Sequence, residues 1–398
     1  MQSKTIIDGL CNETISKFIK AHLKEDVKTL ALATKKYPNI NLQVISSLIS
    51  VLQKAEIKLP EHYKKLGAFN QKSFEQSTSE AVANYKASIM SLDNKTIINL
   101  TGGIGIDDWA MAKHASKIDS CEIDPDIHAM AEYNLSLFNI KNVNRHLCDG
   151  IEYIKTHEAV DILYIDPDRR PTSAKVFKID DCEPDVLKHW PLLIKKAKHI
   201  WLKLSPMADI SYVLKLFPNT TELYVIAWLG EVKEILICCS DTPCSEVKKV
   251  AINIGSKNVW RFEEPKTSKS LPFSHTGQYI YEPNKAIIKA GLSAHYASHC
   301  QLNMIATNSH FFIADFLVPN FYGRSFIILE RLAYKPKVIK VYLKLNNIAK
   351  ANITTRNFKE SADELKTRFR LKDGGETYLC FTMDQQEQSW LYHCHQIF

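Results

Sequence analysis

Apolar residues recur three and four positions apart from Ile15 to about Met90, first as Phe18, Ile19, His22 and Leu23, then as Leu30, Ala31 and Thr34. Leu42, Ile45, Leu48, Ile49 and Leu52 continue the rhythm until Leu59-Pro60 closes it. Such spacing gathers apolar side chains on one stripe of a helix, so residues 1–92 are predicted to form a helical N-terminal domain. Within Phe74-Glu75-Gln76-Ser77-Thr78-Ser79-Glu80, Ser77 and Glu80 stand at capping-box spacing ahead of a helix through Ala81, Val82, Tyr85 and Ile89.

After Asp93-Asn94 the pattern changes to strand and helix in alternation. Strands are predicted at 96–100, 117–123, 143–148, 161–166, 199–204, 222–229 and 232–239. Helical stretches separate most of them, as right-handed crossovers in a parallel sheet require. Only Gly230-Glu231 joins the last two, which demands an antiparallel hairpin. Residues 93–263 therefore read as an α/β sheet domain of seven strands, the last one antiparallel. Pro, Ser and Thr make 264–276 a linker. Residues 277–322 form a small mixed segment, and 323–398 a compact module with strands at 325–329, 351–355, 377–382 and 389–396 and helices at 336–346 and 362–371.

Composition narrows the class. Apolar residues are 45% and charged residues 24% of the chain, enough to bury a sizeable core and too apolar for a disordered chain. No apolar run reaches the roughly 18 residues needed to span a bilayer, and the N-terminus lacks a signal-peptide core. Ten cysteines are scattered without a C-x-x-C pair, which predicts free thiols, no metal centre and a cytoplasmic protein. His393-Cys394-His395 puts two histidines on one strand face but offers no second ligand pair for zinc.

Charge is unevenly placed. Residues 1–90 carry 13 Lys and 8 acids, residues 91–322 carry 25 basic and 28 acidic groups, and residues 323–398 carry 13 basic and 8 acidic groups. Two basic ends around a mildly acidic middle suit a polyanionic partner, although a solvated lysine-rich surface has the same arithmetic.

Chemistry concentrates at the predicted strand tips. Ile97-Ile98-Asn99-Leu100-Thr101-Gly102-Gly103-Ile104-Gly105-Ile106-Asp107 sets a glycine turn between a strand and a helix. Asp108 stands where a dinucleotide fingerprint has its third glycine, and an acid there disfavours a pyrophosphate and suits a cationic or zwitterionic ligand. The second strand ends in Cys121-Glu122-Ile123-Asp124, where a carboxylate, Glu122 first and Asp124 second, would accept both ribose hydroxyls of an adenosine cofactor. The third ends in Cys148-Asp149-Gly150, with Asp149 placed to accept an exocyclic amine. Each acid alone is more often a helix cap or a solvated turn residue; their order at successive tips favours cofactor binding. The fourth strand delivers Asp166-Pro167-Asp168-Arg169-Arg170-Pro171. Amino-methylating enzymes have an acid or amide, two prolines and an aromatic there; here Asp168 replaces the second proline and Arg169 the aromatic. Arginines at such a rim suit phosphate or carboxylate clamping, or else a structural Arg/Asp network.

With these motifs, the chain resembles the bacterial class I S-adenosylmethionine-dependent methyltransferases that carry a THUMP-like C-terminal domain. The resemblance also rests on Glu75 to Glu80 with Tyr85-Lys86, Lys203-Leu204-Ser205-Pro206-Met207, Tyr281-Glu282-Pro283-Asn284 with Lys289-Ala290-Gly291, and Thr355-Arg356-Asn357-Phe358 with Leu371-Lys372-Asp373-Gly374-Gly375. It implies a Rossmann-like seven-stranded methyltransferase sheet, a ferredoxin-like segment at 277–322 and a THUMP-like domain at 323–398, with RNA as partner. Asn99, where the family more usually has Asp, loses a charge opposite the cofactor's amino group.

The expected site follows. S-adenosylmethionine lies over Thr101, Gly102, Gly103 and Gly105, with Glu122, Ile123, Asp149, Gly150 and Asp166 around it and Gln76 and Glu80 lining the entrance or packing it. Asp166, Pro167, Asp168 and Arg169 form the catalytic tetrapeptide, and Arg170 and Lys203 contact the substrate. The expected activity is methyl transfer to RNA, with a base amine as the acceptor suited to this tetrapeptide. The alternatives are a non-catalytic RNA-binding protein on the same scaffold and methylation of a small anionic metabolite or a protein.

Overall fold

The computed structural model describes residues 2–169, 179–244, 246–267 and 270–397. Two compact units emerge, one of Met1–Leu223 with Glu234–Val247, the other of Tyr224–Lys233 with Lys248–Phe398.

The first unit begins with α1 (Gln2–Cys11), α2 (Glu13–His22), α3 (Val27–Leu32), α4 (Leu42–Lys58), α5 (Pro60–Lys64), α6 (Gln71–Gln76) and α7 (Glu80–Ile89). Short polar side chains open most of them: Asn12, Asp26, Asn41, Asn70 and Ser79 each accept a bond from a first-turn N–H. The apolar stripe read from the sequence is the buried face of α4, including Leu42, Ile45, Leu48, Ile49 and Leu52. The capping-box reading at Ser77 and Glu80 does not hold. Ser77 ends α6, Ser79 caps α7, and the capping box in this region is Asn70 with Ser73. Glu80 is buried and turns back to α5, accepting from the Glu61 and His62 N–H groups at 2.9 Å and meeting His62 Nδ1 at 2.6 Å. A carboxylate that caps a neighbouring helix leaves its own helix to be started by the residue before it.

The alternating region forms β1 (Thr96–Asn99), α8 (Ile106–Met111), β2 (Lys117–Glu122), α9 (Pro125–Ser136), β3 (Val143–Leu147), α10 (Gly150–Thr156), β4 (Val160–Ile165), the two-residue strands β5 (Asp168–Arg169) and β6 (Cys182–Glu183), α11 (Val186–Lys196), β7 (Ala197–Leu204), α12 (Ile210–Leu216), β8 (Thr220–Trp228) and β9 (Glu231–Ser240). Strand order runs β3-β2-β1-β4-β7-β9-β8, and two later strands, 248–254 and 259–263, extend the sheet beyond β8 to nine where the sequence predicts seven. The β1–β2, β2–β3, β1–β4 and β4–β7 pairs are parallel, and β9 runs antiparallel to β7. The two-residue link at Gly230 thus produces the antiparallel seventh strand, which inserts beside the fifth. Ile97, Ile98, Ile162 to Ile165 and Ile200 to Leu202 are buried along the central strands, as near-continuous apolar runs in a covered parallel sheet must be. Strand order reverses at β1 and β4, and in open α/β sheets that switch point opens a crevice at the carboxyl ends of the strands.

The second unit takes the tip of the β8–β9 hairpin and adds β10 (Lys248–Ile254), β11 (Val259–Glu263), β12 (Tyr279–Pro283), α13 (Lys285–Lys289), α14 (Ser293–His299), β13 (Asn303–Met304), β14 (Phe312–Ala314), β15 (Gly323–Ala333), α15 (Pro336–Leu345), β16 (Asn352–Arg356), α16 (Ala362–Phe369), β17 (Thr377–Met383) and β18 (Ser389–Ile397). A seven-stranded sheet, β13-β14-β12-β15-β18-β17-β16, contributes to an apolar core that includes Ile280, Phe311, Phe326, Tyr392 and Cys394. Buried Glu282 on β12 accepts from Arg324 on the adjacent β15 and from Arg356 on β16, the strand at the far edge of that sheet. His393 lies on Tyr342 Oη at 2.7 Å. Among the described residues no helix is long and apolar enough to cross a membrane.

Candidate functional site

The strand tips of the first unit surround a cavity of about 770 Å³, within the size range of cofactor sites. Its lining includes Gln76, Thr101, Gly102, Gly103, Gly105, Glu122, Ile123, Asp149, Gly150 and Asp166, whereas Glu80, turned to α5, packs away from it. Asp168 and Lys203 also line it. Pro167 stands between the two aspartates without lining the cavity. Arg169 is described in its backbone alone, as the partner of Cys182 in the β5–β6 ribbon, and Arg170 lies outside the described residues.

The glycines of the loop serve different ends. Gly103, at φ +52°, has open space where a Cβ would stand, so the cavity floor there is bare backbone. Gly105 starts α8 at φ +81°, a conformation that glycine adopts without strain. At Gly102 a Cβ would lie 2.1 Å from the Arg145 guanidinium and 2.4 Å from Ser120 Oγ, so this glycine makes room for buried protein and not for a ligand. At Gly150 a Cβ would lie 2.3 Å from the Leu100 carbonyl, and its absence lets the β3 and β1 tips close together.

Carboxylates ring the cavity. Glu122 accepts from Gly103 N–H and from Asp124 N–H, both at 2.9 Å, and so pins the loop to the β2 tip. Asp124 caps α9 through Asp126 and Ile127 N–H. Asp149 caps α10, accepting from Ile151 and Glu152 N–H through Oδ1 alone. Ile123 is 69% exposed between them, an apolar surface at the cavity edge.

Asp108 corrects the sequence reading. It is wholly buried and does not line the cavity: Arg145 Nη1 donates to it at 2.8 Å, Ser120 Oγ at 2.6 Å and Asn99 Nδ2 at 2.7 Å. A buried charge must be matched, and Arg145 matches it. Asn99 is also explained: it donates to Asp108 and accepts from Thr101 N–H, where an aspartate would set two carboxylates against each other. Its amide answers to Asp108. Arg145 escaped the sequence reading because a lone arginine on a strand gives no sign of what it meets.

Asp166 is fixed from two sides. Its N–H donates to Thr101 Oγ1 at 2.7 Å, and Lys203 Nζ donates to its Oδ2 at 2.5 Å. Lys203, expected to meet substrate, is spent on Asp166 and on Thr78 Oγ1 at 3.2 Å. Thr78 donates to Asp107, which also accepts from the Tyr164 hydroxyl and pairs with Lys86 at 3.0 Å. Lys86 is buried and reaches Glu234 at 3.2 Å. Two ammonium groups thus share three carboxyl groups. Burial raises the Glu234 carboxyl and outweighs the two lysines, whereas for Asp107 Lys86 and Lys203 overcome burial and pull it down. The Asp166, Glu234 and Asp107 charges more than offset burial at Lys203 and hold it as an ammonium ion. Asp107, Thr78, Lys86 and Glu234 were not assigned roles from sequence; Lys86 on the same helix face as Val82 and Ala83 was the available signal.

At the mouth, Gln76 Nε2 donates to both oxygens of Asp168, at 3.2 and 3.0 Å. The departure from a second proline therefore gives an aspartate that ties α6 to the segment after β4.

Comparison with known proteins adds two matches and one whole-chain likeness. The THUMP domain-like family matches residues 323–396 and a ferredoxin-like domain family matches residues 279–321. Proteins of Mycobacterium tuberculosis strains CDC 1551 / Oshkosh and ATCC 25618 / H37Rv, each described as an uncharacterized S-adenosylmethionine-dependent methyltransferase, are 26% identical over 307 residues, 76% of this chain and 81% of theirs. The crystal structure of a candidate methyltransferase from Porphyromonas gingivalis W83 is 29% identical, covers 97% of this chain and 98% of its own, and superposes with a TM-score of 0.82.

Proposed function

We propose that RNA is the methyl acceptor of this chain, a class I S-adenosylmethionine-dependent methyltransferase with ferredoxin-like and THUMP-like domains. The residues present fit that cofactor: bare backbone at Gly103, exposed Ile123 and the Glu122 carboxylate at the β2 tip suit an adenosine with a small charged tail. In this reading Thr101 to Gly105 form the floor, Glu122 accepts the ribose hydroxyls, Ile123 and Gly150 flank the base, and Asp149 accepts the adenine amine through the oxygen not used for capping. The bound cofactor supplies an electrophilic methyl carbon on a sulfonium centre.

Asp166 does the remaining work. Held by Thr101 and Lys203, its carboxylate is an oriented acceptor for an N–H of the incoming nucleophile, which aims the nitrogen lone pair into the cavity. Lys203 acts through Asp166 as a positioning residue. Methyl transfer depends chiefly on alignment, so a fixed acceptor supplies much of the rate. Pro167 stiffens the turn, Asp168 with Gln76 narrows the mouth, and Arg169 and Arg170 serve phosphate contacts. The observation carrying this reading is the double anchoring of Asp166 at the cavity rim. RNA as substrate is supported by the THUMP-like match and by the basic ends of the chain.

Incorporation of label from S-adenosylmethionine into total RNA tests it. The wild-type chain transfers label, and Asp166→Ala lowers the rate by about a hundredfold or more while cofactor affinity stays within a few-fold. RNA binding without incorporation by the wild type would instead assign a non-catalytic scaffold.

A further inference from the structure

From Arg331 to Lys359 the chain has eight basic residues and no acidic one. Three of the eight, Lys337, Lys340 and Lys344, stand on α15, where helical geometry puts them within a sector of about 60°. All three are exposed, and among the described residues none has an ion-pair or hydrogen-bond partner. The adjoining sector carries Val338, Val341 and Leu345, which are 47%, 58% and 76% exposed. The helix does not need this second stripe to fold, because Ile339 and Leu343 on its other side already pack with Leu365, Leu379 and Phe381.

An uncompensated basic stripe beside an exposed aliphatic one matches a ligand with a line of negative charge and apolar faces at its side. Single-stranded RNA has both: phosphates for the ammonium groups and unstacked base faces for the valines and leucine. A duplex would use only the lysines, since its bases are stacked inside. We propose that the solvent face of α15 is the docking surface for a single-stranded stretch of the RNA substrate, an inference that rests on the RNA reading above and names the surface serving it.

The test is a fluorescence-anisotropy titration of the full chain with a labelled, unstructured oligoribonucleotide of about 20 nucleotides across a salt series. With each phosphate contact adding about 0.7 to the steepness of the log–log salt plot, Lys337→Gln/Lys340→Gln/Lys344→Gln flattens that slope by about 2 and weakens binding at low salt at least tenfold. Val341→Ser/Leu345→Ser weakens binding about fivefold and leaves the slope unchanged, as loss of base contact without loss of charge requires. The altered side chains are exposed, so unfolding temperature and cofactor binding serve as controls and stay at wild-type values. Wild-type RNA binding with an unaltered slope in the lysine variant overturns this surface and leaves the RNA reading intact. No RNA binding by the wild type overturns both, and lysine-dependent binding to phosphatidylserine vesicles in its place would assign the face to a membrane.

Discussion

At the residue scale, the site depends on charges that are matched where they are buried and left unmatched where a ligand is to come. Asp108 and Arg145 form the matched pair, with side chains 0% and 3% exposed. Removing one partner of such a pair leaves an isolated buried charge, which costs about 3 kcal/mol or more. Arg145→Met therefore lowers stability by about that amount in urea unfolding, and Asp108→Asn added to it recovers part of the loss. Arg145 Nη2 also donates to the Gly103 carbonyl at 2.9 Å, so the single variant loosens the glycine loop as well. Asp107 within the site answers to pH. The folded Asp107 carboxyl lies below its ordinary 3.8, because Lys86 and Lys203 outweigh the effect of burial. A lowered carboxyl contributes stability that is present above its unfolded value and is lost as pH falls through its folded one. Thermal melts from pH 7 to pH 3 should thus show a loss near and below pH 4 that Asp107→Asn lessens.

At the scale of elements, strand tips are brought together by the absence of side chains. Gly150→Ala places a methyl group 2.3 Å from the Leu100 carbonyl, and since that neighbour is backbone the two tips must part. Overpacking of this kind costs about 1–3 kcal/mol, which denaturant unfolding of the variant measures. How far such features are legible beforehand differs by element. The α4 stripe, the seven strands and the antiparallel hairpin follow from periodicity and from the length of one link, because those signals are local. The cap at Ser77 failed because Glu80 answers to α5, a partner some 19 residues away in sequence. Arg145, Asp107 and the Lys86–Glu234 pair were illegible for the same reason: their meaning arises when β1, β2, β3, α7, α8 and β9 meet. Lys203 was seen as a tip residue, yet its partner, Asp166, comes from another strand.

At the scale of the whole molecule, the first unit brings together the cavity residues named from sequence, and the second unit contains both family-matched domains. Every role given to the strand-tip residues requires that the cavity hold S-adenosylmethionine. Calorimetric titration of the wild-type chain and of Gly103→Asp measures this directly. Position 103 has open space on the cavity side, and aspartate tolerates its left-handed backbone at a cost of about 1 kcal/mol. The variant should stay folded and give no binding heat, while the wild type binds in the micromolar range. A folded wild type that gives no heat at protein concentrations near 100 μM, or a Gly103→Asp chain that binds as well as it does, would contradict the account.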